Sequence, residues 1–105
     1  MLAIYPVIIE TLKEIAPLAR EIAKHDADLA RQLRRAGSSI ALNAAEGEGL
    51  DAGNRRQRFR TALGSAKETC ACLDVAAVWS YIEPIDARLA DRLDRVRATL
   101  FRLGH

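Results

Sequence analysis

The chain of 105 residues carries a formal net charge of +2, is half hydrophobic, and holds two phenylalanines, two tyrosines and one tryptophan. That length accommodates one domain, residues 1–105, with a single modest core. Alanine and leucine dominate the apolar half, which favours close-packed helices over a sheet. Cys70 and Cys72 are too close in sequence for an ordinary disulfide and too few for a zinc site. With His25 and His105 as the two histidines, no metal constellation can be assembled, and no cofactor or small-molecule substrate is expected. No apolar run reaches membrane-spanning length and no charged n-region precedes an h-region, so a reducing cytoplasm is the expected compartment.

Four helical segments account for nearly the whole chain. The first spans about Tyr5 to Lys24, with Ile8, Leu12, Ile15, Ala19 and Ile22 at helical spacing and Pro17 placed to kink it. Asp26 has the chemistry of an N-cap for the second helix, which carries Leu29 to about Gly47 or Gly49. Gly47, Gly49, Asp51 and Gly53 mark a loop. Asn54 and Gln57 have the form of a capping box opening the third helix, whose seam is Phe59, Leu63, Ala66, Cys70, Leu73 and Ala77 and which continues to about Tyr81. Glu83-Pro84 is the last break, with Pro84 suited to a first helical turn. The fourth helix then buries Ile85, Leu89, Leu93, Val96, Leu100 and Leu103. Four amphipathic helices with short connections imply an all-α, up-down-up-down four-helix bundle.

Small residues cluster on the second and third helices. Gly37, Ser38, Ser39, Ala41, Ala44 and Ala45 face Ala62, Gly64, Ser65 and Ala66 in an arrangement that permits close backbone approach. A glycine inside a helix costs about 1 kcal/mol relative to alanine, so Gly64 is expected where a side chain would clash. The stripe Leu29, Leu33, Ala36, Ile40 leads next to Asn43. An amide on that seam must be satisfied out of water, at roughly 1–3 kcal/mol if it fails, and reads as a core asparagine bonding a neighbouring helix and fixing register. Two segments carry more apolar surface than one seam uses, Ile4 to Ile9 and Leu73 to Ile82. In this topology they fall at opposite ends, as a head-to-tail oligomer that closes into a ring would need.

The charge is unevenly divided. Residues 1–30 have net −2, residues 31–60 net +4, and residues 61–105 balance. The excess is seven arginines: Arg31, Arg34 and Arg35 on the second helix, and Arg55, Arg56, Arg58 and Arg60 at the start of the third. Cations at a helix N-terminus oppose the helix dipole by about 0.3–1 kcal/mol each, so stability alone does not favour that placement. Arginine presents a planar fork suited to phosphate, although a solvated helix face is the commoner origin of such a run. Arg88, Arg92, Arg95 and Arg102 add a stripe on the fourth helix, where Asp91 and Asp94 lie within reach of Arg95 and Arg97.

Gln32-Leu33-Arg34-Arg35-Ala36, then Ser38-Ser39-Ile40 and Asn43-Ala44-Ala45-Glu46-Gly47, resembles the signature of the four-helix-bundle family encoded in 23S rRNA intervening sequences. Phe59, Ala62-Leu63-Gly64-Ser65-Ala66 and Glu68 resemble its second block. Ala44 stands where isoleucine is common, and Gly37 where alanine is. The resemblance implies a left-handed bundle, a homopentameric ring and no established enzymatic activity, with Ser39, Asn43, Glu46, Gly47, Gly64, Ser65 and Glu68 as its structural motif. A related branch accompanies the reverse transcriptases of diversity-generating retroelements and binds nucleic acid and the polymerase through basic surfaces.

Three functional readings follow. The first is a non-enzymatic oligomer that contacts RNA, or a nucleic-acid-processing protein, through the seven arginines. Scarce exposed aromatics then favour backbone or shape recognition over base reading. The second is a protein–protein scaffold with no nucleic-acid role. The third, an enzyme, would need Glu46 and Glu68 as a carboxylate pair, but neither has a histidine, an activated nucleophile or a phosphate-cradling loop beside it. Glu46 reads instead as a structural acid paired with an arginine.

Overall fold

The computed structural model describes residues 2–105, which form four helices: α1 Ile4–Ala23, α2 Ala27–Glu48, α3 Ala52–Val78 and α4 Ala87–Gly104. Each helix packs on its sequence neighbours and α1 closes against α4, so the order around the bundle is the order along the chain. This is the expected up-down-up-down arrangement, 42 × 25 × 19 Å in extent. One end gathers the start of α1, the α2–α3 connection and the end of α4. The other gathers the α1–α2 turn and the α3–α4 connection.

Local chemistry sets the boundaries. The Asp26 carboxylate accepts from the Leu29 amide at 3.0 Å and caps α2 as expected. The third helix opens earlier than the Asn54–Gln57 pattern implies, because Asp51 is the cap, accepting from the Asn54 amide at 3.1 Å. Gly47 and Gly53 therefore lie inside helices, and the connection shrinks to Gly49–Asp51. Pro84 precedes the fourth helix, whose cap is Asp86, bonded to the Leu89 amide at 2.8 Å. α3 stops at Val78, short of Tyr81. Ser80 takes a left-handed φ of 60°, and the Tyr81 amide turns back to the Ala76 carbonyl at 2.9 Å in a Schellman closure. α1 remains one helix through Pro17, which lies on its exposed side, where water can satisfy the carbonyl that proline leaves unpaired.

Two apolar clusters share the core. One, around Ile22, Leu33, Leu73 and Leu93, fills the end with the α1–α2 turn. The other, around Ile8, Ile40, Phe59 and Leu100, fills the opposite end. Thr11 and Thr69 are buried as well, absent from the expected seams. Each returns its hydroxyl to its own helix, at Val7 O (2.7 Å) and Ser65 O (2.8 Å), so neither is left unsatisfied.

The seams need four corrections. In α1 the buried place assigned to Leu12 goes to Thr11, and Leu12 is half-buried. In α2 the stripe steps by four from Ile40 to Ala44, which is fully buried, and Asn43 moves to the half-buried edge. In α3 the buried stripe runs Phe59, Ala62, Ala66, Thr69, Leu73 and Ala76, with Leu63 and Cys72 buried beside it, so Thr69 and Ala76 take the places assigned to Cys70 and Ala77; the heptad spacing holds, but its first step from Phe59 is three residues, not four. In the last helix, Leu103 is half-buried and Gly104 is buried, while Ile85 lies before the helix begins. The α2–α3 contact is the most extensive in the bundle, with the alanines Ala41, Ala44, Ala62 and Ala66 buried.

The glycines redistribute. A Cβ on Gly37 would come within 2.9 Å of Leu12 Cδ2, so that glycine serves the α1 contact. A Cβ on Gly47 would meet Phe59 Cε1 at 2.9 Å, so Gly47 admits the Phe59 ring rather than turning a loop. Gly64 faces open space, not the clash expected from its helical position.

Candidate nucleic-acid interface

A polar ladder pins α2 to α3. Ser65 Oγ donates to Ser39 Oγ at 2.7 Å. Asn43 Nδ2 donates to both the carbonyl and the hydroxyl of Ser39 at 2.9 Å. Arg58 then donates to Asn43 Oδ1 at 3.2 Å and to Glu46 Oε2 at 3.1 Å. Five side chains thus form one chain of contacts along the seam. The amide does bridge two helices, as its chemistry called for, but from the half-buried edge. Both ends of the Arg58–Glu46 pair stay well exposed, so its Coulomb contribution is about 0–1 kcal/mol, and the ladder's value lies in register.

The ladder fixes what faces what. With Ser39 opposite Ser65 and the helices antiparallel, Glu46 and Glu68 lie on opposite sides of that crossing. They are separated by roughly 15 Å along the axis at about 1.5 Å per residue. A single protomer therefore does not bring them together as a carboxylate pair. Glu68 is exposed.

The seven arginines do not act as one surface. Arg31 pairs with Asp28 on its own helix. Arg55 reaches the Glu48 carbonyl at 3.5 Å, the long limit of a hydrogen bond. Arg58 belongs to the ladder, and Arg60 donates to the Gly104 carbonyl at 3.0 Å, capping the end of α4. Arg34, Arg35 and Arg56 are exposed and make no ion pair or side-chain hydrogen bond among the described residues. By the same register, Arg35 and Arg56 lie roughly 20 Å apart along the bundle. The basic character of residues 31–60 thus resolves into two separate patches.

Two features escaped the sequence pattern. Arg20 of α1 comes to the same groove as Arg34, hidden in the sequence because its neighbours in the first thirty residues are acidic. On the last helix, Arg92 and Arg88 turn to Glu14 of α1, Arg88 at 3.8 Å, so one carboxylate from another helix is shared by two arginines of that stripe and offsets one of their charges. The local Arg97–Asp94 pair forms as expected. The apolar surplus at the start of α1 is largely absorbed within the protomer, since Ile4 and Ile8 are buried and Tyr5, Val7 and Ile9 are half-buried. The surplus at the end of α3 is not: Val78 is 76% exposed and Trp79 65%.

The remaining titratable groups are unremarkable for chemistry. Burial pushes the Cys70 and Cys72 thiols above their ordinary range, the opposite of an activated nucleophile, and both are free. Lys24 beside Glu21 lowers that carboxyl on an exposed surface. No metal-binding group of three or more side chains occurs among the described residues, and no helix among them is long and apolar enough to cross a membrane.

Fold and site together define an all-α bundle whose central hairpin is registered by a Ser–Asn–Arg–Glu ladder. Residues 1–102 match the family described as 23S rRNA-intervening sequence protein, and the chain belongs to that family. The fold is similar to the crystal structure of a protein with unknown function from the S23 ribosomal protein family of Bacteroides thetaiotaomicron VPI-5482. The TM-score is 0.72 at 18% identity, over 97% of this chain and 92% of that one. No curated protein matches the sequence.

Proposed function

We propose that the chain is a non-enzymatic accessory protein that binds RNA or a nucleoprotein through phosphate contacts, acting as a homo-oligomer, a pentameric ring by analogy with its family. The observation that carries this reading is the state of Arg34, Arg35 and Arg56. Three exposed guanidiniums without an acidic partner are available to phosphate, while their neighbours are held by carboxylates or carbonyls. Repetition around a ring multiplies a modest charge per subunit into a strong combined field. Two patches roughly 20 Å apart suit an extended backbone, and few exposed aromatics leave little for base stacking.

The test is RNA binding across a salt series. Each phosphate contact contributes about 0.7 to the log–log slope for single strands, and Arg34→Glu with Arg35→Glu should lower both affinity and slope. Undiminished binding by that double variant would remove these arginines from the interface. A second reading, a scaffold that docks another protein, draws on the exposed Val75, Val78 and Trp79 at the end of α3. It predicts binding that salt leaves nearly unchanged.

A further inference from the structure

Among the large apolar side chains exposed in the described residues, Val75, Val78 and Trp79 share one place at the end of α3. Spacings of three and four make them neighbours on the helix surface. The Trp79 amide bonds the Val75 carbonyl at 3.1 Å, so the turn that groups them is intact. Leu42, Leu50 and Phe101 are exposed on other elements, and Phe101 is stacked on His105 of its own helix end. Carboxylates fringe the α3 patch. From Cys72 to Ala87 the chain carries Asp74, Glu83 and Asp86 and no lysine or arginine. Asp74 lies one helical turn before Val78, and neither Asp74 nor Glu83 has an ion pair or side-chain hydrogen bond among the described residues. Across the seam, Arg31 stands level with Leu73 in the register set by Ser39 and Ser65, and it is paired with Asp28. Lys24, at the same end of the bundle, is paired with Glu21.

We infer that the end of α3 docks a segment of a partner protein that carries aliphatic side chains beside lysine or arginine. Charge complementarity selects the basic groups, since Asp74 and Glu83 are unpaired carboxylates at the edge of an apolar surface. The exposed indole of Trp79 adds a face for a cation, worth about 0.5–1 kcal/mol at such a site. Val75 and Val78 receive the aliphatic part. The same carboxylates repel RNA phosphate, which separates this surface from the arginine contacts. A second copy of this chain does not supply the match. Patch against patch would set like carboxylates against each other. The apolar start of α1, which a head-to-tail contact would use, is absorbed within its own protomer, with Ile4 and Ile8 buried. Assembly is thereby left to other faces of the bundle. The inference rests on the scaffold reading, to which it gives a partner chemistry, and is independent of the RNA contacts.

Trp79 is the one tryptophan of the chain, so its fluorescence reports the patch directly. The full chain is titrated with a short helical peptide that carries leucines on one face, flanked by lysines. Matched peptides carry glutamine or glutamate at every lysine position. The expected result is a saturable blue shift with the lysine peptide, binding about tenfold weaker with the glutamate peptide, and the glutamine peptide between them. Val78→Ser, at an exposed position that leaves helicity and melting unchanged, should weaken the lysine peptide by about fivefold. Asp74→Asn should weaken it by about threefold and leave the glutamine peptide within about twofold. Equal affinity for all three peptides, with the Val78→Ser loss retained, would overturn the charge selection and leave the scaffold reading standing. No response of Trp79 to any peptide would overturn both. Emission that is already blue-shifted in the free protein and reddens on dilution would show that a second copy covers the patch, and would overturn the inference. A response of Trp79 to RNA and to none of the peptides would overturn it as well.

Discussion

One substitution, glycine to alanine, should have opposite signs at two positions of the same bundle. Both Gly47 and Gly64 lie inside helices, where alanine is favoured by about 1 kcal/mol through backbone entropy and propensity. At Gly64 nothing stands within 4 Å of the new methyl, so Gly64→Ala should collect most of that gain, about 0.5–1 kcal/mol. At Gly47 the methyl would lie 2.9 Å from Phe59 Cε1, 3.2 Å from Cζ and 3.3 Å from Arg58 Cβ. Phe59 is fully buried, so its ring cannot swing to solvent, and overpacking of this kind costs about 1–3 kcal/mol. After the propensity gain, Gly47→Ala should be destabilising by about 0–2 kcal/mol. Urea unfolding at equal m-values separates the variants, and about 1 kcal/mol corresponds to a shift of roughly 4–8 °C in Tm for a domain near this size. Equal shifts in the same direction would refute the packing argument at Gly47. Loss of stability in Gly64→Ala would mean that its open face is covered in solution, and comparing the variant at low and high protein concentration would show whether a second copy covers it.

Other substitutions probe other parts of the chain. Ser80→Gly should stabilise by about 1 kcal/mol, since the left-handed φ at the end of α3 disfavours a residue with a Cβ; a destabilised variant in thermal melts would show that the hydroxyl matters more. A double-mutant cycle of Ser39→Ala and Ser65→Ala should reveal coupling of about 0.5–1.5 kcal/mol, and additivity would remove the rung from the ladder. The raised thiols give a sign for pH. The unfolded chain loses thiol protons near pH 8.5, before the folded one does, so their stabilisation is complete below that pH and fades as pH rises through the folded values. A Cys70→Ala, Cys72→Ala variant should lose less stability than the parent between pH 8 and pH 10 in chemical denaturation, and identical losses would contradict the burial argument.

The topology was legible because the apolar spacing persists across four segments and Asp26 caps where its chemistry says it should. What escaped the sequence were choices between neighbours on one helix. Asn43 and Ala44 both continue the stripe within the tolerance of a 3.6-residue period, and desolvation of the amide decides for Ala44. Asp51 and Asn54 both had capping chemistry, and the Asp51 carboxylate takes the role, accepting from the Asn54 amide. Ser80 carries no glycine signal, so the end of α3 could not be read from composition. The site was less legible still. A run of arginines specifies charge, but which of them is occupied depends on acceptors from elsewhere: Glu46 across the ladder for Arg58, and the end of α4 for Arg60.

That sorting of arginines yields a ranking for the proposed interface. Arg31 and Asp28 are 68% and 81% exposed, so their pair contributes at most about 1 kcal/mol and phosphate can compete for the guanidinium. Arg58 has two acceptors on the facing helix and Arg60 a carbonyl at a helix C-terminus, where the dipole favours a cation. Recruiting either to phosphate breaks a contact between helices, whereas recruiting Arg34, Arg35 or Arg56 breaks none. Single glutamine substitutions should therefore reduce RNA affinity most at Arg34, Arg35 and Arg56, less at Arg31, and least at Arg58 and Arg60. The last two should instead lower the unfolding midpoint. Affinity losses that follow total positive charge, indifferent to which arginine is removed, would show that the interface is a diffuse field and that side-chain availability does not select its contacts.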